Sequence, residues 1–195
     1  MVRKSTAPAR TAPHEVRIIG GIWKRTRLPV LDRPGLRPTP DRVRETLFNW
    51  LGHDLTGWRC VDAFAGTGAL GLEAASRGAA EVLLVESEGE LVDQLRGIAK
   101  RLQAGNVRVQ RGNALSVLAG LRPASVDLVF IDPPFDSQLF DKALAAARPA
   151  LVPAGFIYLE APVQWSGEAL ERHGLEAVRH LKAGAVHGHL LRPVA

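Results

Sequence analysis

The sequence predicts an α/β fold: a mostly parallel, doubly wound sheet of seven strands with a small N-terminal extension. Two patterns predict it. After Gly57, five short apolar runs alternate with five helical stretches, which indicates parallel strands joined by right-handed crossovers. The last segment has two alternating runs on either side of Ala183 and Gly184, too close together for a helix between them. These runs predict a C-terminal antiparallel hairpin that completes the sheet.

Composition indicates a folded globular chain and excludes several classes of protein. Of the 195 residues, 46% are hydrophobic and 23% are charged, which is unlike a disordered chain. The single cysteine, Cys60, cannot form a disulfide within the chain, and the six scattered histidines have no zinc-site spacing, so no metal is expected. The longest apolar runs are far shorter than the roughly 18 residues of a membrane span, so we expect a soluble protein.

Three regions follow from the pattern along the chain. Residues 1–15 are predicted to be a flexible tail, 16–56 a basic arm and a helix, and 57–195 the main domain. Residues 16–30 are typical of a hairpin or an extended arm. In the helix that follows, Arg42 and Arg44 lie off the apolar stripe. The stripe recurs at helical spacing at Val43, Leu47, Trp50 and Leu51.

The positive charge of the chain is concentrated at its front. Net charge is +5, and residues 1–60 hold 12 basic against 5 acidic residues, whereas residues 61–195 hold 13 against 15. Such a segment favours binding to a polyanion, because basic side chains that neutralise phosphates release counterions. A solvated basic tail is the alternative that charge alone leaves open.

A glycine-rich loop follows the first strand of the main domain. Gly66, Gly68 and Gly71 have G-x-G-x-x-G spacing at the start of a helix, as in Rossmann-like nucleotide-binding folds. Glu86 ends the next strand, 20 residues after Gly66, where a carboxylate can accept hydrogen bonds from ribose hydroxyls. The glycines alone would also suit simple packing of a helix against a strand.

The charge beside this loop distinguishes between cofactors. Asp62 precedes the first glycine by four residues, and a carboxylate there would repel a pyrophosphate but attract the sulfonium and ammonium groups of S-adenosylmethionine. We therefore favour S-adenosylmethionine over NAD. Asn113 and Ala114 follow the third strand, where the amide of Asn113 can bind the adenine edge or cap the next helix, two roles that are compatible.

The most specific motif is Asp132-Pro133-Pro134-Phe135 at the end of the fourth strand. The first and fourth strands flank the switch point of a doubly wound sheet, so this motif should face the glycine loop. Asp132 and the carbonyl of Pro133 can accept both N–H groups of a nucleobase amine and turn its nitrogen toward a methyl donor. Phe135 can stack on the base. The base must be unpaired or flipped out to reach such a pocket.

These residues resemble S-adenosylmethionine-dependent amino-methyltransferases of class I, which act on adenine N6, cytosine N4 or guanine N2. From residue 16 onward the chain is similar to the RsmD family of bacterial 16S rRNA (guanine-N2)-methyltransferases. The segments that carry this resemblance are RIIGG at 17–21, RPTPDRVRETLFNWL at 37–51, DAFAGTGALGLEAASRGA at 62–79 and DPPF at 132–135. With the basic arm, the resemblance implies RNA contacts from Lys24, Arg25, Arg27, Arg37, Thr39, Arg42 and Arg44.

The resemblance further implies a cytoplasmic bacterial enzyme that acts on 16S rRNA within a small-subunit ribosomal particle. We expect this enzyme to be a monomer. Two departures from the family concern docking rather than chemistry. The family usually has a glycine in the stretch occupied here by residues 24–27, and aromatic residues where this chain has His187 and His189. A DNA amino-methyltransferase, an NAD-linked oxidoreductase and a non-catalytic RNA-binding module remain alternatives.

Overall fold

The computed structural model describes residues 15–31, 38–135 and 138–194. Residues 1–14 of the predicted tail, and Arg37, lie outside the described residues. The described strands and helices are, in chain order, β1 (Glu15–Arg17), β2 (Arg27–Pro29), α1 (Asp41–Leu51), β3 (Arg59–Asp62), α2 (Ala69–Ser76), β4 (Glu81–Glu86), α3 (Gly89–Arg101), β5 (Val107–Arg111), α4 (Ala114–Ala119), β6 (Val126–Ile131), α5 (Phe140–Ala147), β7 (Leu151–Ala161), α6 (Glu168–Glu171), β8 (Leu175–Ala183) and β9 (Val186–Pro193).

The main sheet has seven strands in the order β5-β4-β3-β6-β7-β9-β8. The first five of these strands are parallel, while β9 pairs antiparallel with both β7 and β8. Strand order reverses between β3 and β6, which are neighbours, so their carboxyl ends open onto one crevice. The predicted fold class and C-terminal hairpin are confirmed.

Both faces of the sheet are covered, as a parallel sheet requires. Apolar side chains from α1, α2 and α3 pack on one face, and those from α4, α5 and α6 on the other. Helix α2 is buried along its whole length, because the N-terminal arm lies over the side that faces away from the sheet. No helix within the described ranges is long and apolar enough to cross a membrane.

The N-terminal arm is a hairpin, as the sequence predicts. Strands β1 and β2 pair antiparallel with Val16 opposite Leu28, and both side chains are buried. They belong to the same apolar cluster as Phe130 of the main sheet. The division of the chain into arm and main domain at residue 57 stays a prediction.

The buried side of α1 differs from the predicted stripe. Val43 and Leu47 are buried as expected, but Trp50 and Leu51 are only partly buried. The other buried positions are Arg44 and Phe48, which also follow helical spacing. The prediction that Arg44 lies off the buried stripe is wrong, because α1 packs against an acidic residue of α2 that pairs with this arginine.

Candidate active site

The loop between β3 and α2 turns on two glycines with left-handed backbone conformations. Gly66 has φ +51° and Gly68 has φ +77°, values that side-chain-bearing residues rarely adopt. A Cβ on Gly71 would lie only 2.2 Å from Cδ2 of Leu84. The first two glycines therefore form the turn, and the third allows α2 to approach the sheet closely.

Four carboxylates lie at the carboxyl end of adjacent strands, on one face of the sheet. Asp62 ends β3 opposite Phe130 of β6, and Glu86 ends β4. Asp132 directly follows β6, whose last residue pairs with Leu159, so Asp132 is level with Glu160 of β7. Because side chains alternate along strands, these positions point to the same side. Glu160 was missed in the sequence, where an acid near the end of an apolar strand is ordinarily solvated.

Burial raises the pKa of three of these carboxyl groups, and neighbouring carboxylates add to the shift at Asp62 and Asp132. Asp62 is 2% exposed, and burial, together with Glu86 and Glu160, raises its pKa to about 7 although its Oδ2 accepts a 2.9 Å hydrogen bond from the Gly71 amide. Burial, then Glu160 and Asp62, raise the pKa of Asp132 well above its ordinary value. Burial also raises the pKa of Glu160. Counting the described residues alone, negative charge at this edge exceeds the positive charge that acts on it, which is that of Arg44.

Glu86 links the glycine loop to the end of β4. Its Oε2 accepts a hydrogen bond from the Gly66 amide at 2.9 Å. Its Oε1 accepts hydrogen bonds from the amides of Ser87 and Glu88, at 2.7 and 3.0 Å. Oε1 also accepts a hydrogen bond from the Ser87 hydroxyl at 3.3 Å. The carboxylate is half-buried, and Oε2, which accepts one hydrogen bond among the described residues, has a further acceptor position, since each carboxylate oxygen accepts about two.

The Asp-Pro-Pro-Phe motif begins where β6 ends, as the missing N–H groups of its prolines require. Asp132 is half-buried, Pro133 is buried, and Phe135 exposes 37% of its surface. Among the described residues, none donates a hydrogen bond to the Asp132 carboxylate. A carboxylate and an aromatic ring are therefore both available at the mouth of the crevice.

Asn113 has the capping role that the sequence allows. Its Oδ1 accepts a hydrogen bond from the Ser116 amide at 3.1 Å at the start of α4, whose first residue, Ala114, is buried. The Asn113 side chain is exposed. Its NH₂ group remains a donor for a ligand, so the adenine contact stays a prediction.

The predicted RNA-contacting residues divide into two groups. Thr39 is 5% exposed and hydrogen-bonds Glu160, while Arg44 has no exposed surface. Direct RNA contacts by Thr39 and Arg44 are therefore incorrect predictions, because both side chains are used inside the fold. Arg37 lies outside the described residues. The remaining predicted residues are exposed: Lys24, Arg25, Arg27 and Arg42.

Arg44 instead joins the N-terminal arm to the segment before α1. Its guanidinium donates hydrogen bonds to the carbonyls of Arg17 and Thr39, at 2.8 and 3.1 Å, and to Asp41 at 2.6 Å. Thr39 in turn reaches Glu160 at the carboxylate edge. The arm and the candidate active site are thus parts of one buried polar network.

This edge of the sheet fits a cationic ligand. Four carboxylates surround the glycine loop, and the cation that interacts with Glu160, Arg44, is already paired with Asp41 and Glu73. A pyrophosphate would face uncompensated repulsion here, whereas a positively charged group would relieve it.

Comparisons with known proteins show the family to which the chain belongs. A family model described as conserved hypothetical protein 95 matches residues 16–192. Ribosomal RNA small subunit methyltransferase D of Escherichia coli strain K12 is 45% identical over 159 residues, which cover 80% of this chain and 80% of that protein. The chain belongs to the RsmD family.

Solved structures extend the similarity of this RsmD-family chain to three dimensions. A proposed methyltransferase of Escherichia coli aligns with TM-score 0.80 and 41% identity, covering 93% of this chain and 99% of that one. A proposed methylase of Haemophilus influenzae aligns with TM-score 0.77 and 32% identity, covering 93% and 99%. The fold is therefore that of the Rossmann-like class I methyltransferases.

Proposed function

We propose that this chain methylates the exocyclic N2 amine of a guanine in 16S rRNA, with S-adenosylmethionine as methyl donor. The observation that carries the proposal is the position of Asp132, beside the glycine loop and within a row of carboxylates at the ends of adjacent strands. The names of the relatives, which act on small-subunit ribosomal RNA, support the substrate class.

The residues that would hold the donor are those around the glycine loop. Asp62 and the loop amides would receive the amino-acid part, and Glu86 the ribose hydroxyls. Asn113 and Ala114 would contact the adenine. The donor supplies a methyl group on a positively charged sulfur, and the carboxylate-rich edge supports binding of that charge.

The base would be held by the Asp-Pro-Pro-Phe motif. The Asp132 carboxylate and the Pro133 carbonyl would accept the two N–H groups of the amine, which orients the nitrogen lone pair toward the donor. Phe135, exposed at the crevice, would stack on the base. The nitrogen must lose a proton once it has gained its new carbon, and the carboxylate of Asp132 is the nearby acceptor.

RNA would approach along the N-terminal hairpin. Lys24, Arg25, Arg27 and Arg42 are exposed and would contact phosphates. We expect the substrate to be a small-subunit particle in the cytoplasm rather than free RNA, with the enzyme acting as a monomer.

The test is transfer of labelled methyl groups to small-subunit particles from cells that lack the gene, followed by mass spectrometry of the nucleosides. We expect N2-methylguanosine in rRNA with wild-type protein, and none with Asp132→Ala, while Asp132→Ala retains donor binding. Asp93→Ala, which removes an exposed acid, serves as the control. Methylated adenine or cytosine, or transfer to DNA, would replace the guanine-N2 proposal with one of the other amino-methyltransferase activities.

A further inference from the structure

Three histidines meet on one face of the C-terminal hairpin, although their spacing in the sequence does not predict a metal site. His180 of β8 pairs directly with His189 of β9, and His187 lies two residues before His189. Cross-strand partners and residues two apart share a face of a sheet. One ligand nitrogen from each ring lies within 4.8 Å of the others.

The two outer rings already direct nitrogens at each other. Nε2 of His180 lies 2.9 Å from Nδ1 of His187, and the ring planes differ by 21°. Two zinc–nitrogen bonds of tetrahedral geometry place their nitrogens roughly 3.3 Å apart, so small side-chain rotations would admit an ion. His180 is exposed and His187 half-buried, which leaves the ion a path from solvent.

His189 is held in the tautomer that a metal ligand needs. Its Nδ1 faces the Leu159 carbonyl at 3.3 Å and must carry the proton, since a carbonyl only accepts. Its Nε2 accepts a hydrogen bond from the Trp165 amide at 3.0 Å and so presents a lone pair. Metal-binding histidines commonly donate their second nitrogen to a backbone carbonyl in this way.

We propose that His180, His187 and His189 form a binding site for a divalent transition-metal ion, with zinc as the representative. Imidazole ligands favour zinc, copper or nickel, whereas magnesium and calcium prefer oxygen ligands. Three histidine ligands leave one position of tetrahedral zinc for water. Binding takes the Nε2 lone pair of His189 from the Trp165 amide, so the segment at 162–167 shifts when the ion binds.

The metal site lies on the face of the sheet opposite the proposed methyl-transfer site. His189 pairs with Leu159, whereas Asp132 is level with the next residue, Glu160. Alternation along β7 therefore places the two sites on opposite faces. The ion would join β8 to β9, and its stabilisation of the hairpin would increase with the logarithm of its concentration above the dissociation constant.

The test is calorimetric titration of the chelator-treated full chain with zinc chloride. We expect one zinc ion per chain for wild-type protein and for His53→Ala, which removes an exposed histidine that lies beside Arg77 and outside the three-histidine cluster. His180→Ala and His187→Ala should each lower the affinity at least about tenfold. Equal unfolding midpoints without zinc show that these variants are folded. Absence of stoichiometric binding to wild-type protein, or unchanged affinity in both variants, overturns the proposal.

Tryptophan emission provides a second readout that does not depend on methyl transfer. Zinc should change the emission of wild-type protein, because the Trp165 amide loses its acceptor. Trp165→Phe keeps the backbone amide, so it should bind zinc with the wild-type affinity but show no change in emission. A full emission change in Trp165→Phe contradicts the displacement of the Trp165 amide and, with it, the role of His189 as a ligand.

Discussion

Arg44 of α1 and Glu73 of α2 form an ion pair with 3.3 Å between Nη1 and Oε2, and neither side chain has any exposed surface. Glu73 also accepts hydrogen bonds from the amides of Ile19 and Gly20, at 2.8 and 2.7 Å. Its other oxygen, Oε1, pairs with Arg77 at 2.8 Å. One carboxylate thus holds the N-terminal arm, α1 and the end of α2 together.

Arg44→Ala is expected to destabilise the fold by about 3–5 kcal/mol, because it takes one of two paired guanidinium groups from the buried Glu73 carboxylate and removes the donor of the Arg17 and Thr39 carbonyls. Urea unfolding at pH 7 measures the change. Arg42→Ala lies on the exposed side of the same helix and should change the free energy of unfolding by less than about 0.5 kcal/mol. Equal stability of the two variants would contradict the role of the ion pair.

Asp62→Asn should separate donor binding from stability. The raised pKa of Asp62, about 7, means that the folded ligand-free protein holds a proton that the unfolded chain has released between pH 4 and 7. The Asp62 carboxyl group therefore contributes to the free energy of unfolding at low pH. This contribution is at most about 4 kcal/mol, and it is lost as pH rises through 7. Asparagine keeps an acceptor for the Gly71 amide without the charge. We expect Asp62→Asn to unfold at higher urea concentration than wild type at pH 8, yet to bind S-adenosylmethionine more weakly.

The same carboxyl group should make donor binding depend on pH in wild-type protein. The positively charged donor prefers ionised Asp62, so its affinity should rise about tenfold from pH 6 to pH 8 as a group with a pKa of about 7 loses its proton. Calorimetry in buffers of different ionisation enthalpy measures both the affinity and the protons released. Asp93→Asn, at an exposed position, should keep the pH dependence, and its loss in Asp62→Asn identifies the group.

The arrangement of strands and helices was predictable because each βα unit has its own periodicity and turn residues. Asp62, Glu86 and Asp132 were found as site candidates because they sit at strand ends next to distinctive motifs. Their proposed roles in binding and catalysis remain predictions. The structure adds their shared face of the sheet, which depends on strand register.

The incorrect predictions for Arg44 and Thr39 and the failure to predict Glu160 have a common physical cause. Arg44, Thr39 and Glu160 are polar residues whose ordinary location is the surface, and nothing local marks them as buried. Their partners lie on other elements, distant in the sequence. The Arg44 partner is on α2, and Glu160 becomes a neighbour of Asp132 only when β7 pairs with β6.

Arg25 occupies a left-handed conformation, with φ +71°, a backbone region that favours glycine. Arg25→Gly removes this strain and should raise the free energy of unfolding by up to about 1 kcal/mol, once the greater freedom of glycine in the unfolded chain is included. Arg25→Ala keeps the strain and should not stabilise the protein. Both variants lose the same charge, so both should bind RNA more weakly and with a shallower salt dependence, measured by filter binding across salt concentrations. Stabilisation by alanine equal to that by glycine would contradict the backbone argument.

Glu160→Gln tests whether the second carboxylate sets the charge of Asp132. The Glu160 charge contributes to the raised pKa of Asp132, so its removal should lower that pKa and extend methyl transfer to lower pH. Glutamine keeps an acceptor for the Tyr158 hydroxyl, which donates to Glu160 Oε1 at 2.9 Å, so packing should change little.

The measurement is single-turnover methyl transfer to small-subunit particles from pH 5 to 9. In wild-type protein the pH profile reports apparent pKa values that belong to Asp132 and Glu160 together. In Glu160→Gln the acid limb of the profile should move toward lower pH. Asp93→Asn removes an exposed charge outside this cluster, so it should leave the acid limb at the wild-type position. An acid limb at the wild-type position in Glu160→Gln would mean that the Glu160 charge does not control Asp132 during transfer.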